Sequence, residues 1–173
     1  MEILTPEETE KKRLEYKPDE IKVLFIGESP PSGGKFFYLN DSDLYKNTRD
    51  CFLKVFNGQF KECDFLRYFK SLGCYLDDLC FESVDNLPRE IRKNICANYV
   101  DGLAIRIRQY KPITIIVVIK QIEKYVIKAI EKLCINLEPK FLPFPRYKWQ
   151  QEKYKNELEE ILVKLVKEKV LLK

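Results

Sequence analysis

Apolar residues fall into two kinds of segment along the chain: short continuous runs, and longer stretches with helical spacing. Lys22–Gly27 and Ile113–Ile119 are apolar almost throughout, as is typical of strands buried on both faces of a parallel sheet. Two shorter strands are predicted at Cys74–Cys80 and Lys140–Phe144. Helical spacing and capping signals predict helices at Asp41–Phe56, Lys61–Leu72, Pro88–Tyr110 and Gln121–Cys134, with a long amphipathic helix after Trp149.

The alternation of strands and helices predicts a three-layer α/β/α sandwich with right-handed crossovers. In such a fold the segments that follow the strands meet at one edge of the sheet, where ligands bind. Three segments are expected there: Glu28–Asn40, Asp77–Asn86 and Pro143–Trp149. A chain of 173 residues suits one such domain. We predict that it spans 21–173, after a polar N-terminal extension, 1–20.

Composition and charge narrow the function classes only modestly. The net charge of +4 favours a polyanionic partner, but Lys and Glu are interleaved through most of the chain. Charge alone therefore does not establish nucleic-acid binding. The polar N-terminal stretch lacks the apolar run of a signal peptide, and no segment has the ~18 apolar residues of a membrane span. We expect a cytoplasmic protein that does not contact membranes.

Missing residue types exclude several kinds of chemistry. With no histidine and six scattered cysteines, the chain cannot form Ser-His or Cys-His triads, His-ligated metal sites or Cys-x-x-Cys zinc sites. Acid–base chemistry would fall to carboxylates, Lys, Tyr or Cys. Gly33-Gly34-Lys35 is not a Walker-type phosphate loop, because Phe36 stands where Ser or Thr is needed and two prolines remove N–H donors.

Short motifs at the predicted strand ends are the most informative part of the sequence. Gly27-Glu28-Ser29-Pro30-Pro31 follows the first strand, Tyr75-Leu76-Asp77-Asp78 ends the second, and Leu142-Pro143-Phe144-Pro145 ends the fourth. In order and spacing, over about residues 21–160, these motifs resemble the uracil-DNA glycosylase superfamily. The thermostable bacterial and archaeal branch is the most similar. The resemblance implies a central four-stranded parallel sheet and an enzyme that hydrolyses the base–sugar bond of a damaged or deaminated DNA base, flipped into a pocket.

The resemblance also implies roles for individual residues. Glu28 matches the acidic position of the branch and would orient water or stabilise a cationic sugar, with Ser29 beside it. Phe36 or Phe37 would stack on the flipped-out base. Gly27 would line the pocket. These residues are the candidate catalytic and base-binding groups of the first loop.

The remaining candidate residues lie in the other two loops. Asp78 occupies the place of the Asn that reads uracil in the family. A carboxylate only accepts hydrogen bonds, so it suits the paired donors of guanine or a single N–H of hypoxanthine or xanthine. The substrate expected is therefore a purine or a modified base. Pro145, Arg146 and Lys148 form a basic loop suited to DNA contact.

Two departures from the family pattern bear on activity and cofactors. Leu142 replaces a histidine that donates to the leaving base, and losing such a donor typically costs about 10²–10³ in rate. Either Arg146 or Lys148 substitutes for it, or the activity is weak. Cys80 and Cys96 match two ligands of the branch's iron–sulfur cluster, but the earlier Cys-x-x-Cys pair is missing. We expect no cofactor and no metal.

Other interpretations stay open. A non-catalytic relative would use the same pocket to bind nucleic acid, a nucleotide or a partner protein, and Leu142 favours this alternative. An unrelated α/β domain is the third. Glu28 would then cap a turn, Phe36 and Phe37 would anchor a loop, and Asp78 would be a solvated strand-end residue. The sequence leaves the oligomeric state open, with a monomer as the expectation.

Overall fold

A sheet of four parallel strands forms the centre of the molecule. A computed structural model describes residues 4–172 of the chain. The strands are β1 (Val23–Gly27), β2 (Cys74–Asp78), β3 (Thr114–Val117) and β4 (Lys140–Phe141), in the spatial order β2-β1-β3-β4. Every neighbouring pair is parallel. The predicted α/β class is therefore confirmed, with an all-parallel sheet of four strands, each shorter than predicted.

Helices cover the sheet. The described residues form seven α-helices: α1 (Pro6–Glu15), α2 (Asp43–Val55), α3 (Phe65–Ser71), α4 (Arg89–Asn98), α5 (Val100–Tyr110), α6 (Glu123–Glu131) and α7 (Lys148–Lys167). α2 packs against α7, and α5 packs against α6. This pairing is consistent with a three-layer sandwich. Within 4–172, no helix has both the length and the apolarity that crossing a membrane requires.

The core lies on both faces of the two central strands. Side chains from Val23 to Ile26 on β1 are fully buried, as are those from Ile115 to Val117 on β3. Strands that are buried on both faces have no position for a polar side chain, which explains their continuous apolar sequence. The first polar side chain after β1 is Glu28, which lies where the strand leaves the core.

Strand order places the segment after β1 at the customary ligand-binding position of this class of fold. The chain passes from β1 to β2 on one side, then crosses to β3 on the other side of β1. β1 and β3 therefore border the topological switch point, and ligands in open α/β sheets bind in the crevice beyond the carboxyl ends of such strands. Glu28 begins the segment that leaves β1 at this crevice.

Two helical segments differ from the prediction. The single helix predicted at Pro88–Tyr110 is two helices, α4 and α5, that meet at Tyr99. Its two halves bury different amounts of surface: Cys96 is the only buried residue of α4, and Ile91 is half-exposed, whereas α5 buries several apolar residues. In the first half, Ile95 is partly buried against the core, while Ile91 lies outside it.

The N-terminal extension contains a helix that was not predicted. Pro6 stands in the first turn of α1, the Thr5 hydroxyl accepts a hydrogen bond from the Glu8 N–H, and the Glu8 carboxylate accepts one from the Thr5 N–H. This reciprocal pair is a capping box, which satisfies two of the backbone N–H groups at a helix start. α1 buries Thr9 and Arg13.

Candidate functional site

Two of the three predicted loops meet beyond β1 and β2. The Cys80 N–H donates to the Glu28 carbonyl oxygen over 2.9 Å, just beyond the last paired residues of β1 and β2. The Val84 N–H donates to the Ser29 hydroxyl oxygen over 3.2 Å. Ser29 therefore joins the first loop to the second. Its hydroxyl has a structural partner at the position where the sequence suggested a catalytic group.

The Glu28 carboxylate is held by an arginine from α4. Arg92 donates from Nε to Glu28 Oε1 over 2.6 Å and from Nη2 to Oε2. Glu28 is 9% exposed. A bidentate pair of this kind fixes the orientation of the carboxylate and occupies both of its oxygens. Glu28 thus lies at the predicted strand end, but with its charge compensated.

A pair of thiols lies next to Glu28. Cys80 Sγ is 3.8 Å from Cys96 Sγ, and Cys96 Sγ is 3.9 Å from Glu28 Oε1. Both cysteines are buried and free. The hydrogen bond from Cys80 lowers the pKa of Cys96, and the same contact raises the pKa of Cys80. Within residues 4–172, no group of three His, Cys, Asp or Glu side chains is arranged to hold a metal ion.

A buried charge network occupies the end of β2. Arg13 Nη2 is 2.6 Å from Asp78 Oδ2, and Arg13 Nη1 is 3.4 Å from Asp77 Oδ1. Arg106 Nε donates to Asp77 Oδ2 over 2.8 Å. The Arg13 guanidinium carbon also lies 5.8 Å from the centre of the Phe36 ring. We call the surroundings of Arg13, formed by Phe36, Asp77 and Asp78, the acidic pocket.

Asp78 approaches β1 closely. In the strand register it lies opposite Gly27, and a Cβ atom at position 27 would collide with its carboxylate. Glycine at this position therefore allows the carboxylate to lie beside the strand. Burial raises the pKa of Asp78 to about 6, although Arg13 acts in the opposite direction.

The two candidate stacking aromatics have different surroundings. Phe37 belongs to the aromatic core, with ring centres 5.2 Å from Tyr38, 5.8 Å from Tyr45 and 5.6 Å from Phe69. Phe36 is also buried, but its ring faces the Arg13 guanidinium. Of the two, Phe36 is the one that lines the acidic pocket.

The third predicted loop supplies no donor at the position of Leu142. Leu142 is buried, and its N–H donates to the Val117 carbonyl oxygen over 2.8 Å. Pro145 is buried as well, whereas Arg146 and Lys148 are exposed. The apolar side chain at position 142 belongs to the core. Any polar help from this loop would have to come from the two basic residues.

Two large aromatic side chains accompany these basic residues. Tyr147 is 57% exposed and Trp149 is 65% exposed, beside the start of α7 at Lys148. We call Arg146–Trp149 the basic–aromatic segment. It follows β4, which lies two strands from β1, or about 10 Å across the sheet. The segment thus lies at the same edge as Glu28, on the side of β1 that faces away from the acidic pocket.

The three arginines that pair with the strand-end carboxylates were not predicted from the sequence. Arg13, Arg92 and Arg106 come from α1, α4 and α5, and the choice among neighbouring basic residues depends on how each helix is rotated. The capping box at Thr5 was a usable signal for α1. Nothing in the local sequence indicates that Arg13 enters the end of β2.

The three predicted loops therefore carry chemically distinct features: the paired Glu28, the filled acidic pocket, and the exposed basic–aromatic segment. Comparison with known proteins finds no protein-family model and no curated protein sequence that matches this chain. The site's own residues and their geometry are therefore what indicate a function.

Proposed function

We propose that this protein binds DNA at the carboxyl edge of its sheet, as a relative of the uracil-DNA glycosylase superfamily, and holds a flipped-out base in the acidic pocket. The observation that carries the proposal is the environment of Arg13. Its guanidinium, a planar group with parallel N–H donors, lies against Phe36 and donates to Asp78. A base edge with paired N–H donors would make the same two contacts. The all-parallel sheet of four strands supports the resemblance.

The acidic pocket selects among bases by its hydrogen-bonding capacity. An ionised carboxylate offers acceptors only, so Asp78 complements the N1–H and N2–H₂ donors of guanine, or the single N–H of hypoxanthine or xanthine. The O4 acceptor of uracil would face a second acceptor. A purine with N–H donors on one edge is therefore the preferred ligand.

The basic–aromatic segment supplies the surface for the DNA backbone. Arg146 and Lys148 would contact phosphates, while Tyr147 and Trp149 offer exposed rings on which unpaired bases stack. The first turn of α7 contains no acidic residue, and the positive end of a helix favours phosphate. Charge, aromatic surface and position at the sheet edge all support contact with DNA here.

Binding is tested by fluorescence anisotropy with labelled single- and double-stranded DNA over a range of salt concentrations. The double variant Arg146→Ala/Lys148→Ala should bind more weakly, with a salt slope smaller by about 2. The matched control is Lys164→Ala/Lys167→Ala, which removes the same charge from the other end of α7 and should bind nearly as wild type. Equal loss of affinity in both variants would contradict a specific role for the segment.

Base excision is the second candidate function, favoured by the position of Glu28. Its carboxylate lies at the switch point of the sheet and is held in one orientation by Arg92. A fixed carboxylate is suited to stabilising a cationic sugar or orienting water. The occupied oxygens of Glu28 and the apolar Leu142 favour binding without excision, and so the excision function stands second.

A single-turnover assay decides between binding alone and excision. Oligonucleotides carrying uracil, hypoxanthine, xanthine, a thymine mismatch or an oxidised base are incubated with wild type, Glu28→Gln and Glu90→Gln. Glu90 lies exposed on α4 and provides the matched control. Excision of one lesion, lost by about 10²–10⁴ in rate only in Glu28→Gln, establishes a glycosylase. DNA binding without release of any base supports the non-catalytic function.

A further inference from the structure

α1 is attached to the rest of the protein by an arginine. Thr9 and Arg13 are its buried residues, and its one apolar side chain beyond Pro6, Leu14, is 49% exposed. Helices in globular proteins usually pack an apolar stripe against the core. Here the deepest contact of the helix is the guanidinium of Arg13, which is 1% exposed. Within α1 itself, Arg13 in the acidic pocket is therefore the main contact with the domain. Just after the helix, the Tyr16 ring stacks on Tyr38, with 5.6 Å between ring centres.

Arg13 fits the pocket incompletely. Its two terminal nitrogens contact Asp77 and Asp78, but its Nε is buried and makes no hydrogen bond within the described residues. Nearly all buried donors in folded proteins have a partner, so an unpaired one weakens the contact. A narrow crevice also remains between α1 and the first loop; it is lined by Leu4, Thr9, Pro30, Pro31, Gly34 and Phe36.

We propose that α1 is a built-in blocking helix and that Arg13 competes with the base for the acidic pocket. This inference rests on the proposed function, since the pocket blocked is the base site. The Arg13 guanidinium and a guanine edge present similar planar donors to the same carboxylate, and the two cannot occupy the pocket together. Release of α1 therefore precedes entry of the base, and the segment 4–22 governs access.

If α1 blocks the pocket, removing Arg13 should change the affinity for DNA in the direction opposite to that expected from the loss of a positive charge. When only a fraction of molecules has the helix released, the apparent affinity for a base is the affinity of the released form multiplied by that fraction. Removing Arg13 should thus strengthen binding. Loss of a positive charge alone would weaken binding to a polyanion. The sign of the change separates the two effects.

The first test measures affinity in the full-length protein. The probe is a fluorescein-labelled DNA oligonucleotide of thymidines with one central deoxyguanosine. An all-thymidine oligonucleotide serves as the reference. Arg13→Ala should bind the deoxyguanosine probe at least about tenfold tighter than wild type. Lys12→Ala, which removes the neighbouring charge outside the pocket, should bind equally or more weakly. Equal affinity of wild type and Arg13→Ala overturns the blocking role while leaving DNA binding in place.

The second test needs no ligand and does not depend on how well Arg13→Ala folds. In native-state hydrogen exchange of the full chain, α1 should open at least about 100-fold more often than β1. Asp78→Asn removes the charge that faces Arg13 and should increase the exchange of α1 relative to that of β1. Exchange of α1 only together with β1 overturns the proposal. Opening of α1, with no binding of either probe to any variant, supports a releasable helix and rejects the DNA function.

Discussion

The two terminal helices are attached to the domain in different ways. α7 packs against α2 and buries Tyr154, Leu158, Leu162 and Leu165. α1, by contrast, presents the polar Thr9 and Arg13. Burial of an apolar surface is non-directional and tolerates small shifts, whereas an arginine between carboxylates stabilises one position only. A helix held in the second way can separate while the core stays intact, which is why α1 is the element suited to control access.

A leucine-to-alanine substitution in each helix should give the largest difference in the free energy of unfolding. Leu158→Ala removes a fully buried side chain and should lower the free energy of unfolding by about 2–5 kcal/mol, since it leaves a cavity. Leu14→Ala removes a half-exposed side chain from α1 and should change the free energy of unfolding by less than about 0.5 kcal/mol. Urea unfolding followed by circular dichroism measures both. Similar losses would show that α1 belongs to the apolar core after all.

The pH dependence of stability tests which effect dominates at Asp78, the cost of burying its charge or its pairing with Arg13. Asp78 faces Glu10 and Arg13 on α1, Asp77 on β2 and Arg106 on α5. Burial raises the pKa of Asp78 from 3.8 to about 6, so the folded protein binds this proton more tightly than the unfolded chain does. The stability contributed by this proton is present below pH about 4 and is lost as the pH rises through about 6.

We therefore expect wild type, compared with Asp78→Asn, to gain about 1–3 kcal/mol in the free energy of unfolding between pH about 7.5 and about 4.5. Urea titrations of both proteins at the two pH values measure the difference. Leu158→Ala should differ from wild type by the same amount at both. A gain in the opposite direction would mean that pairing with Arg13 outweighs burial in setting the pKa.

The sequence predicted the parts of the fold whose signals are local. The apolar runs around β1 and β3 located those strands within a few residues, and the helix predicted from Asp41 begins at Asp43, with Ser42 as its cap. The division of Pro88–Tyr110 at Tyr99 was not predictable, because helical spacing continues through it. The break at Tyr99 therefore depends on tertiary packing rather than on a local sequence signal.

The candidate site was predicted to a similar extent. Placing Glu28 and Asp78 at neighbouring strand ends required only that both strands be parallel, and their loops do meet. Their partners Arg13 and Arg92 lie 65 and 64 residues away along the chain. Pairing at that distance depends on helix rotation and docking. The sequence therefore indicates which carboxylates lie at the strand ends, but not that they are already paired.

A smaller change tests whether the attachment of α7 also has a polar component. The Tyr154 hydroxyl lies 2.7 Å from the Thr48 hydroxyl on α2, both fully buried. Tyr154→Phe should cost about 1 kcal/mol in the free energy of unfolding, less than Leu158→Ala, because Thr48 keeps its bond to the Leu44 carbonyl oxygen. A loss as large as that of Leu158→Ala would mean that this hydrogen bond, rather than apolar burial, governs how α7 docks.

The smallest global effect is expected from the capping box of α1. Thr5→Ala removes the acceptor for the Glu8 N–H and should destabilise the helix locally by about 1 kcal/mol. Global unfolding in urea should change by less than about 0.5 kcal/mol, because α1 contributes no apolar side chain to the core. Hydrogen exchange should nevertheless rise about fivefold in α1 and stay unchanged in α7.

Ser42→Ala, at the equivalent cap of α2, is the matched control. There the helix packs against α7, so the same local loss lowers global stability. If Thr5→Ala lowers global stability as much, α1 folds and unfolds with the domain and cannot open alone.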